Sequence, residues 1–181
     1  MYRFCCVICR FLFRLLYKVE VQGQIELSEN IGYIICSNHI HMFDPVFIGC
    51  FTKRDISFMG KKELFDKPIL GFLFRKIGAF PVDRSKGDMS ALKTAIEILK
   101  DNKVMAMFPE GTRSKTGEMG EFKRGASLIA SRADVPIVPV KIEGNYGLFS
   151  KMTLKIGEPL YPTKENKKTL TDELYLAIKN L

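Results

Sequence analysis

Residues 37–45, with the sequence SNHIHMFDP, decide how this chain of 181 residues is organised. They hold both of its histidines, His39 and His41, and a carboxylate, Asp44, follows closely. The preceding run Tyr33–Cys36 is apolar and partly β-branched, which predicts a buried strand. Reactive groups are often carried on a loop that leaves the end of such a strand. The stretch therefore predicts a strand, a loop with polar side chains, and then a helix.

The spacing between His39 and Asp44 allows the two side chains to meet. Asp44 precedes Pro45, which favours Asp44 as the N-cap of a helix over 45–51. The turn before that helix can fold His39 back towards the carboxylate. An imidazole held in this way has one nitrogen oriented and the other free to accept a proton. For this pair alone, a structural histidine beside a helix cap remains an equally open interpretation.

The composition indicates one folded domain with an anionic partner. Hydrophobic residues make up 46% and charged residues 27%, which suits a globular protein rather than a disordered one. There are 28 basic and 20 acidic residues, a net charge of +8, so we expect a nucleic acid, a phosphorylated substrate or an acidic membrane surface as partner. Five irregularly spaced cysteines indicate neither a disulfide framework nor a zinc site, which favours a reducing, cytosol-facing location.

Residues 1–18 form a predicted amphipathic helix at a membrane interface, separate from a domain over 19–181. The longest apolar run, 4–9, is far shorter than the ~20 residues that a spanning helix needs. Phenylalanine and leucine fill a broad helical face, which we expect to enter the lipid while cations bind headgroup phosphates. The cations that share the narrow opposite stripe are Arg3, Arg10, Arg14 and Lys18. The alternative is a helix packed on the core of the protein itself.

Strand and helix patterns alternate along the rest of the chain, which predicts the α/β class: a single domain with a central mixed sheet flanked by helices. The predicted strands are 19–25, 33–36, 56–59, 79–84, 104–108, 135–140 and 153–156. The strand over 104–108 is followed by PEGTRS, residues 109–114. Gly111 lets the backbone approach a ligand there, and Thr112 and Arg113 can bind a phosphate. Taken alone, a turn with an exposed arginine is a weak signal.

Four segments in this order are far more specific together. They are Asn38–Asp44, Gly78–Arg84, the run FPEGTRS at 108–114 and the run VPIVP at 135–139. With them the chain resembles the glycerolipid acyltransferases, in particular the bacterial 1-acyl-glycerol-3-phosphate acyltransferases, over residues 19–162. The resemblance implies transfer of a fatty acyl group from acyl-CoA or acyl-carrier-protein to lysophosphatidic acid, giving phosphatidic acid.

The resemblance also assigns roles to individual residues. It implies that His39 is the general base and Asp44 its partner. The residues that it places around the acceptor and its phosphate are Lys61, Arg84, Glu110, Gly111, Thr112 and Arg113. The family usually has a small hydroxyl residue where this chain has His41, and a second imidazole could compete as base or bind the phosphate. We favour His39, because only it has the family's spacing to Asp44.

The residues suit this chemistry on physical grounds. An alcohol ionises far above neutral pH, so its proton must be removed while it attacks a thioester, and a His–Asp pair does this without a metal or cofactor. The acceptor could also be glycerol-3-phosphate or another lysophospholipid. The alternative from a different class of function is a non-catalytic basic module that binds acidic membranes or nucleic acid, although no nucleic-acid motif is present. We expect a peripheral or monotopic protein on the cytoplasmic face of the cell membrane.

Overall fold

The structure is a computed structural model that describes residues 2–76, 78–82, 89–114 and 116–181. Its strands are β1 Lys18–Gln22, β2 Tyr33–Ser37, β3 Ile56–Lys61, β4 Ala79–Val82, β5 Val104–Met107, β6 Ile137–Gly144 and β7 Lys151–Ile156. Its helices are α1 Tyr2–Leu16, α2 Asp44–Phe51, α3 Lys62–Phe65, α4 Pro68–Lys76, α5 Met89–Lys100, α6 Gly125–Ala133 and α7 Leu170–Asn180. All the predicted strands that fall on described residues are present.

The strands form one mixed sheet, as the sequence predicts. Their order is β1-β7-β6-β2-β5-β3-β4. The neighbours pair in parallel except β6 and β7, which are antiparallel. The carboxyl ends of β2, β5, β3 and β4 therefore lie at the same edge of the sheet, and ligands of such sheets bind at that edge.

Helices cover both faces of the sheet. Because successive side chains of β2 point to opposite faces, this strand is covered on both sides. Every residue of β2 is buried. Ile35 belongs to the core on one face, with α1 and α2, whereas Ile34 belongs to the core on the other, with α5, α6 and α7. Burial on both faces is typical of a central parallel strand and explains its continuous apolar run.

The strand predicted over 135–140 starts later and continues further than the sequence indicates. It begins at Ile137 and reaches Gly144, because residues Val140–Gly144 pair with β7 in an antiparallel ladder. The apolar run that predicted the strand ends at Val140, where the pattern changes to alternating burial. Backbone pairing with a neighbour, rather than a continuous apolar pattern, sets the true end.

Helix α1 packs on the domain through an inner side that includes the buried Cys6 and Phe13. The prediction that its cations point to lipid is wrong for Arg3 and Arg10. Arg3 Nη1 donates to Thr52 O at 3.4 Å, and Arg10 Nε donates to Cys50 O at 2.6 Å. The physical reason is that the last carbonyls of α2 lack helical partners and attract cations.

The outer side of α1 remains apolar and exposed. Its exposed apolar residues are Phe4, Val7, Ile8, Phe11, Leu12, Leu15 and Leu16. None of the helices in the described ranges is long and apolar enough to cross a membrane.

Candidate active site

The histidine loop, residues 38–43, joins β2 to α2 at the carboxyl edge of the sheet. It brings His39 Nδ1 within 2.8 Å of Asp44 Oδ2, which is the predicted contact. The Asp44 side chain is fully buried, and 17% of the His39 side chain stays exposed. Because a carboxylate only accepts hydrogen bonds, Nδ1 donates and Nε2 keeps its lone pair. His39 can therefore receive a proton at Nε2.

Asp44 is not the N-cap of α2, contrary to the sequence prediction. It is the first residue of the helix, and Phe43 is the cap residue, with no side-chain cap bond. Asp44 Oδ2 instead accepts the backbone N–H groups of Ile40 and His41, each at 2.7 Å. The carboxylate turns back because the loop offers several donors to one oxygen. It closes the histidine loop while its charge remains at the positive end of α2.

Tyr146 is a site residue that the sequence analysis missed. Its hydroxyl donates to Asp44 Oδ1 at 2.7 Å, so both oxygens of the buried carboxylate have partners. Burial above all, and then the negative charge of Asp44, raises the pKa of Tyr146 well above its ordinary value. The phenol therefore stays protonated and remains a donor. Tyr146 lies 102 residues after Asp44, and no motif marks it.

The two histidines have different surroundings. The ring of His41 stacks on Tyr146, with ring centroids 4.2 Å apart. His41 Nδ1 accepts a weak hydrogen bond from the backbone of Phe43 at 3.4 Å. His41 reaches the Asp44 carboxylate through its backbone N–H, whereas His39 reaches it through its ring. The geometry of a His–Asp pair thus belongs to His39.

Asn38 and Phe108 hold the histidine loop from two sides. The buried Asn38 side chain donates to Ile142 O at 2.9 Å and accepts from Ile142 N at 2.8 Å, which ties the loop to β6. On the other side, the His39 ring stacks on Phe108, with centroids 4.0 Å apart. These contacts limit the rotation of the imidazole, and a restricted base loses less freedom when it reacts.

Glu110 joins the histidine loop to the PEGTRS loop, residues 109–114. The residue is buried; its Oε1 accepts His39 N at 2.8 Å, and its Oε2 accepts Gly120 N at 2.9 Å. A second bond runs from Ser114 N to His39 O at 2.8 Å. The sequence prediction placed Glu110 in the acceptor site, and the structure adds that both carboxylate oxygens bind backbone amides.

An open groove of about 360 Å³ lies beside the PEGTRS loop. Glu110, Thr112, Arg113 and Ser114 line it, together with residues 116 and 118–121. Because Ser114 and Glu110 both bond to the backbone of His39, the groove lies beside the histidine loop.

Gly111 and Lys123 add two features to this loop. Gly111 has a φ of +74°, a conformation that favours glycine. A β-carbon at Gly111 would lie 3.0 Å from Lys123 Nζ, so an ammonium group sits directly beside the loop. The sequence analysis missed Lys123 as a candidate phosphate ligand. Its place in the basic run FKRG, residues 122–125, was the available signal.

Lys61 and Arg84 were predicted to join Arg113 around a phosphate. Lys61 ends β3 at the same sheet edge, two strands from β2 and about 10 Å away by strand spacing. Its ammonium group pairs with Glu63 at 3.0 Å on the surface. Arg84 lies outside the described residues. Of the two predicted cations that fall on described residues, namely Lys61 and Arg113, Arg113 lines the groove.

Cysteine chemistry does not contribute to this site. Burial raises the pKa of the Cys36 thiol and of the Cys50 thiol, which keeps both protonated and unreactive. In the part of the chain that the structure describes, no three histidine, cysteine, aspartate or glutamate side chains are grouped to hold a metal ion.

Several known proteins are similar to this chain. The acyltransferase family profile matches residues 18–143. A 1-acyl-sn-glycerol-3-phosphate acyltransferase of Bacillus subtilis is 36% identical over all of this chain and 96% of its own length. One from Streptococcus pneumoniae is 37% identical over 74% of this chain and 52% of its own length.

A solved structure is also similar. The crystal structure of the 1-acyl-sn-glycerophosphate acyltransferase PlsC from Thermotoga maritima superposes with a TM-score of 0.78 at 26% identity. It covers 99% of this chain and 78% of the other. Both the profile and the alignment with the Bacillus subtilis relative include the segment that carries His39, Asp44 and the PEGTRS loop. These matches confirm that the chain is an enzyme and not a non-catalytic binding module. The chain belongs to the acyltransferase family.

Proposed function

We propose that this chain transfers a fatty acyl group to the free hydroxyl of 1-acyl-glycerol-3-phosphate, giving phosphatidic acid. The donor is a thioester, acyl-CoA or acyl-carrier-protein. One observation carries the proposal: His39 Nδ1 lies 2.8 Å from the buried Asp44, beside a groove that contains Arg113. The names of the relatives support the acceptor.

The reaction follows from the His39–Asp44 pair. The acceptor hydroxyl gives its proton to His39 Nε2 while its oxygen forms a bond to the thioester carbonyl carbon. The carbon–sulfur bond then breaks, and the proton passes from His39 to the leaving thiolate. Asp44 stabilises the imidazolium during these steps, and Tyr146 and the loop N–H groups hold Asp44 in place.

An assay of thioester consumption tests the proposal directly. With lysophosphatidic acid present, the wild-type protein should release thiol from acyl-CoA or acyl-carrier-protein and form phosphatidic acid. Glycerol-3-phosphate and a lysophospholipid with a larger headgroup serve as competing acceptors. Equal rates with all three acceptors, or no acyl transfer with any, would contradict the proposed substrate.

Arg113 should hold the acceptor phosphate, with Thr112, Lys61 and Arg84 as further ligands. We expect Arg113→Ala to raise the KM for lysophosphatidic acid about 10- to 100-fold, since a hydrogen bond to a charged group contributes roughly 1.5–3 kcal/mol. The KM for the acyl donor should change much less. Arg132→Ala, in the last turn of α6, is the matched control. Equal effects on both substrates would indicate a structural arginine.

We further propose that α1 holds the protein on the cytoplasmic face of the membrane. Phe4 and Phe11 are 69% and 67% exposed on its outer side, where they can enter the lipid without loss of core packing. Replacing both by serine should weaken binding to vesicles that contain anionic lipid and leave the melting temperature unchanged. Vesicle binding that equals that of the wild type would refute this role of α1.

A further inference from the structure

A turn over residues 147–150 connects β6 to β7 and carries two large apolar side chains at its tip. Ser150 N donates to Gly147 O at 3.0 Å, which makes Leu148 and Phe149 the central residues. Both are 70% exposed, the highest values among the large hydrophobic residues of the described chain. Neither side chain belongs to the hydrophobic core on either face of the sheet.

The backbone at Phe149 is strained as well as exposed. Its φ is +62°, in the left-handed region where glycine and asparagine are the usual residues. A bulky aromatic residue in this conformation costs stability, and Phe149 recovers little of that cost by packing. Strain combined with exposure indicates that the side chain contacts something outside the chain.

The turn is continuous with the outer side of α1. Phe149 N donates to Leu16 O at 2.7 Å, so the turn is fastened to the last residue of the helix. Lys18 N donates to Ser150 O at 2.9 Å directly beside it. The exposed apolar residues of α1 and of the turn therefore adjoin one another. Arg14 and Lys18 are exposed close to the junction, which suits an anionic surface.

The same segment reaches the candidate active site. Tyr146, two residues before Leu148, donates to Asp44. Its ring lies 6.3 Å from Phe43, and both Phe43 and its neighbour Met42 are exposed in the histidine loop. The tip of the turn is thus held at a defined distance from His39, and so is any surface that the tip contacts.

We propose that Leu148 and Phe149 insert into an anionic phospholipid bilayer as a second contact beside α1. A contact by the turn in addition to the helix prevents the domain from rotating about the helix, so the two together fix the height at which His39 meets an acceptor in the membrane. The inference rests on the proposed function, because an acceptor with its acyl chain in the bilayer requires an oriented site. A second copy of the chain is the other occupant that the test must exclude.

The test uses the full chain with Leu148→Ser and Phe149→Asn together. The matched control replaces Leu176 and Tyr161, which are 54% and 57% exposed, by serine and asparagine. Leu176 lies on α7, which packs on the opposite face of the sheet from α1. Co-sedimentation with vesicles of phosphatidylglycerol and phosphatidylcholine measures binding, and thermal melting measures stability.

We expect the 148/149 variant to bind vesicles at least about 10-fold more weakly, because two apolar side chains no longer enter the lipid. Its melting temperature should stay equal or rise, since asparagine tolerates the positive φ of position 149. The control variant should bind as the wild type does. Vesicle binding of the 148/149 variant that equals wild type, or a loss that accompanies a lower melting temperature, would overturn the inference.

Activity separates this inference from the proposed function. On a short-chain, water-soluble lysophosphatidic acid the 148/149 variant should keep the wild-type rate, whereas on vesicle-embedded acceptor it should fall about as far as binding does. A wild-type protein that acylates neither acceptor would refute the proposed function, while the vesicle binding would still test the turn. A wild-type dimer in solution that the variant abolishes, with vesicle binding unchanged, would show that the turn binds a second copy.

Discussion

At the scale of single residues, one ring contact separates the roles of His39 and His41. His39 places Nδ1 on the buried Asp44, whereas the His41 ring stacks on Tyr146. We therefore expect His39→Ala to lower kcat by about 10²- to 10⁴-fold, the usual contribution of a general base. His41→Ala should cost far less. Circular dichroism checks that both variants fold, and a larger loss in His41→Ala would reverse the assignment.

The hydroxyl of Tyr146 should matter for both stability and turnover. Tyr146→Phe leaves Asp44 Oδ1 buried without its donor, which costs about 1–3 kcal/mol of folding free energy. Because Asp44 then orients His39 less well, kcat should fall while the KM values of both substrates stay nearly constant. Urea unfolding and steady-state kinetics measure the two effects, with Tyr161→Phe as an exposed control. A variant as stable and as active as Tyr161→Phe would contradict the prediction.

At the scale of loops and elements, Glu110 joins the PEGTRS loop, which follows β5, to the histidine loop, which follows β2. Glu110→Gln replaces one of its two acceptor oxygens by an NH₂ group, which faces the backbone N–H of either His39 or Gly120. We expect the melting temperature and kcat to fall together, since the loss of a buried acceptor costs about 1–3 kcal/mol. Glu121→Gln, on the exposed part of the same groove, is the matched control. Unchanged stability would mean that the Glu110 carboxylate acts on substrate alone.

The elements that carry the site were largely predictable because their signals are local. The buried run before His39, the strand before the PEGTRS loop and the amphipathic helix at the N-terminus all appear where the pattern indicates them. The spacing of His39 and Asp44 likewise predicted a contact that is present.

Contacts that depend on distant pairing were not predictable in the same way. Tyr146 reaches Asp44 only because β6 pairs with β2 and continues past its end, which brings together two residues that are 102 apart in sequence. Arg10 binds the end of α2 rather than lipid because α1 docks there. The helical periodicity of α1 gives the stripe of cations but not the direction in which the stripe points.

At the scale of the whole molecule, buried tyrosine hydroxyls and cysteine thiols should make the folding stability sensitive to alkaline pH. Burial raises the pKa of Tyr2, Tyr33 and Tyr146 above their ordinary 10.0, and those of Cys36 and Cys50 above their ordinary 9.0. The unfolded chain ionises these groups first, so stability is full below pH 9 and falls as the pH rises further. Urea midpoints measured from neutral pH upward test this, and the decline should be shallower in Tyr146→Phe. A constant midpoint to about pH 11 would refute it.

The pairing of β1 with β7 also has a consequence for the growing chain on the ribosome. β1 is an edge strand at residues 18–22, and its neighbour β7 is synthesised only when residues 151–156 are added. At 5–20 residues per second, β1 waits on the order of 10 s for its partner. The bond from Phe149 to Leu16 forms equally late. The nascent protein therefore completes its strands around His39 first and closes the side that carries the exposed apolar residues of α1 last.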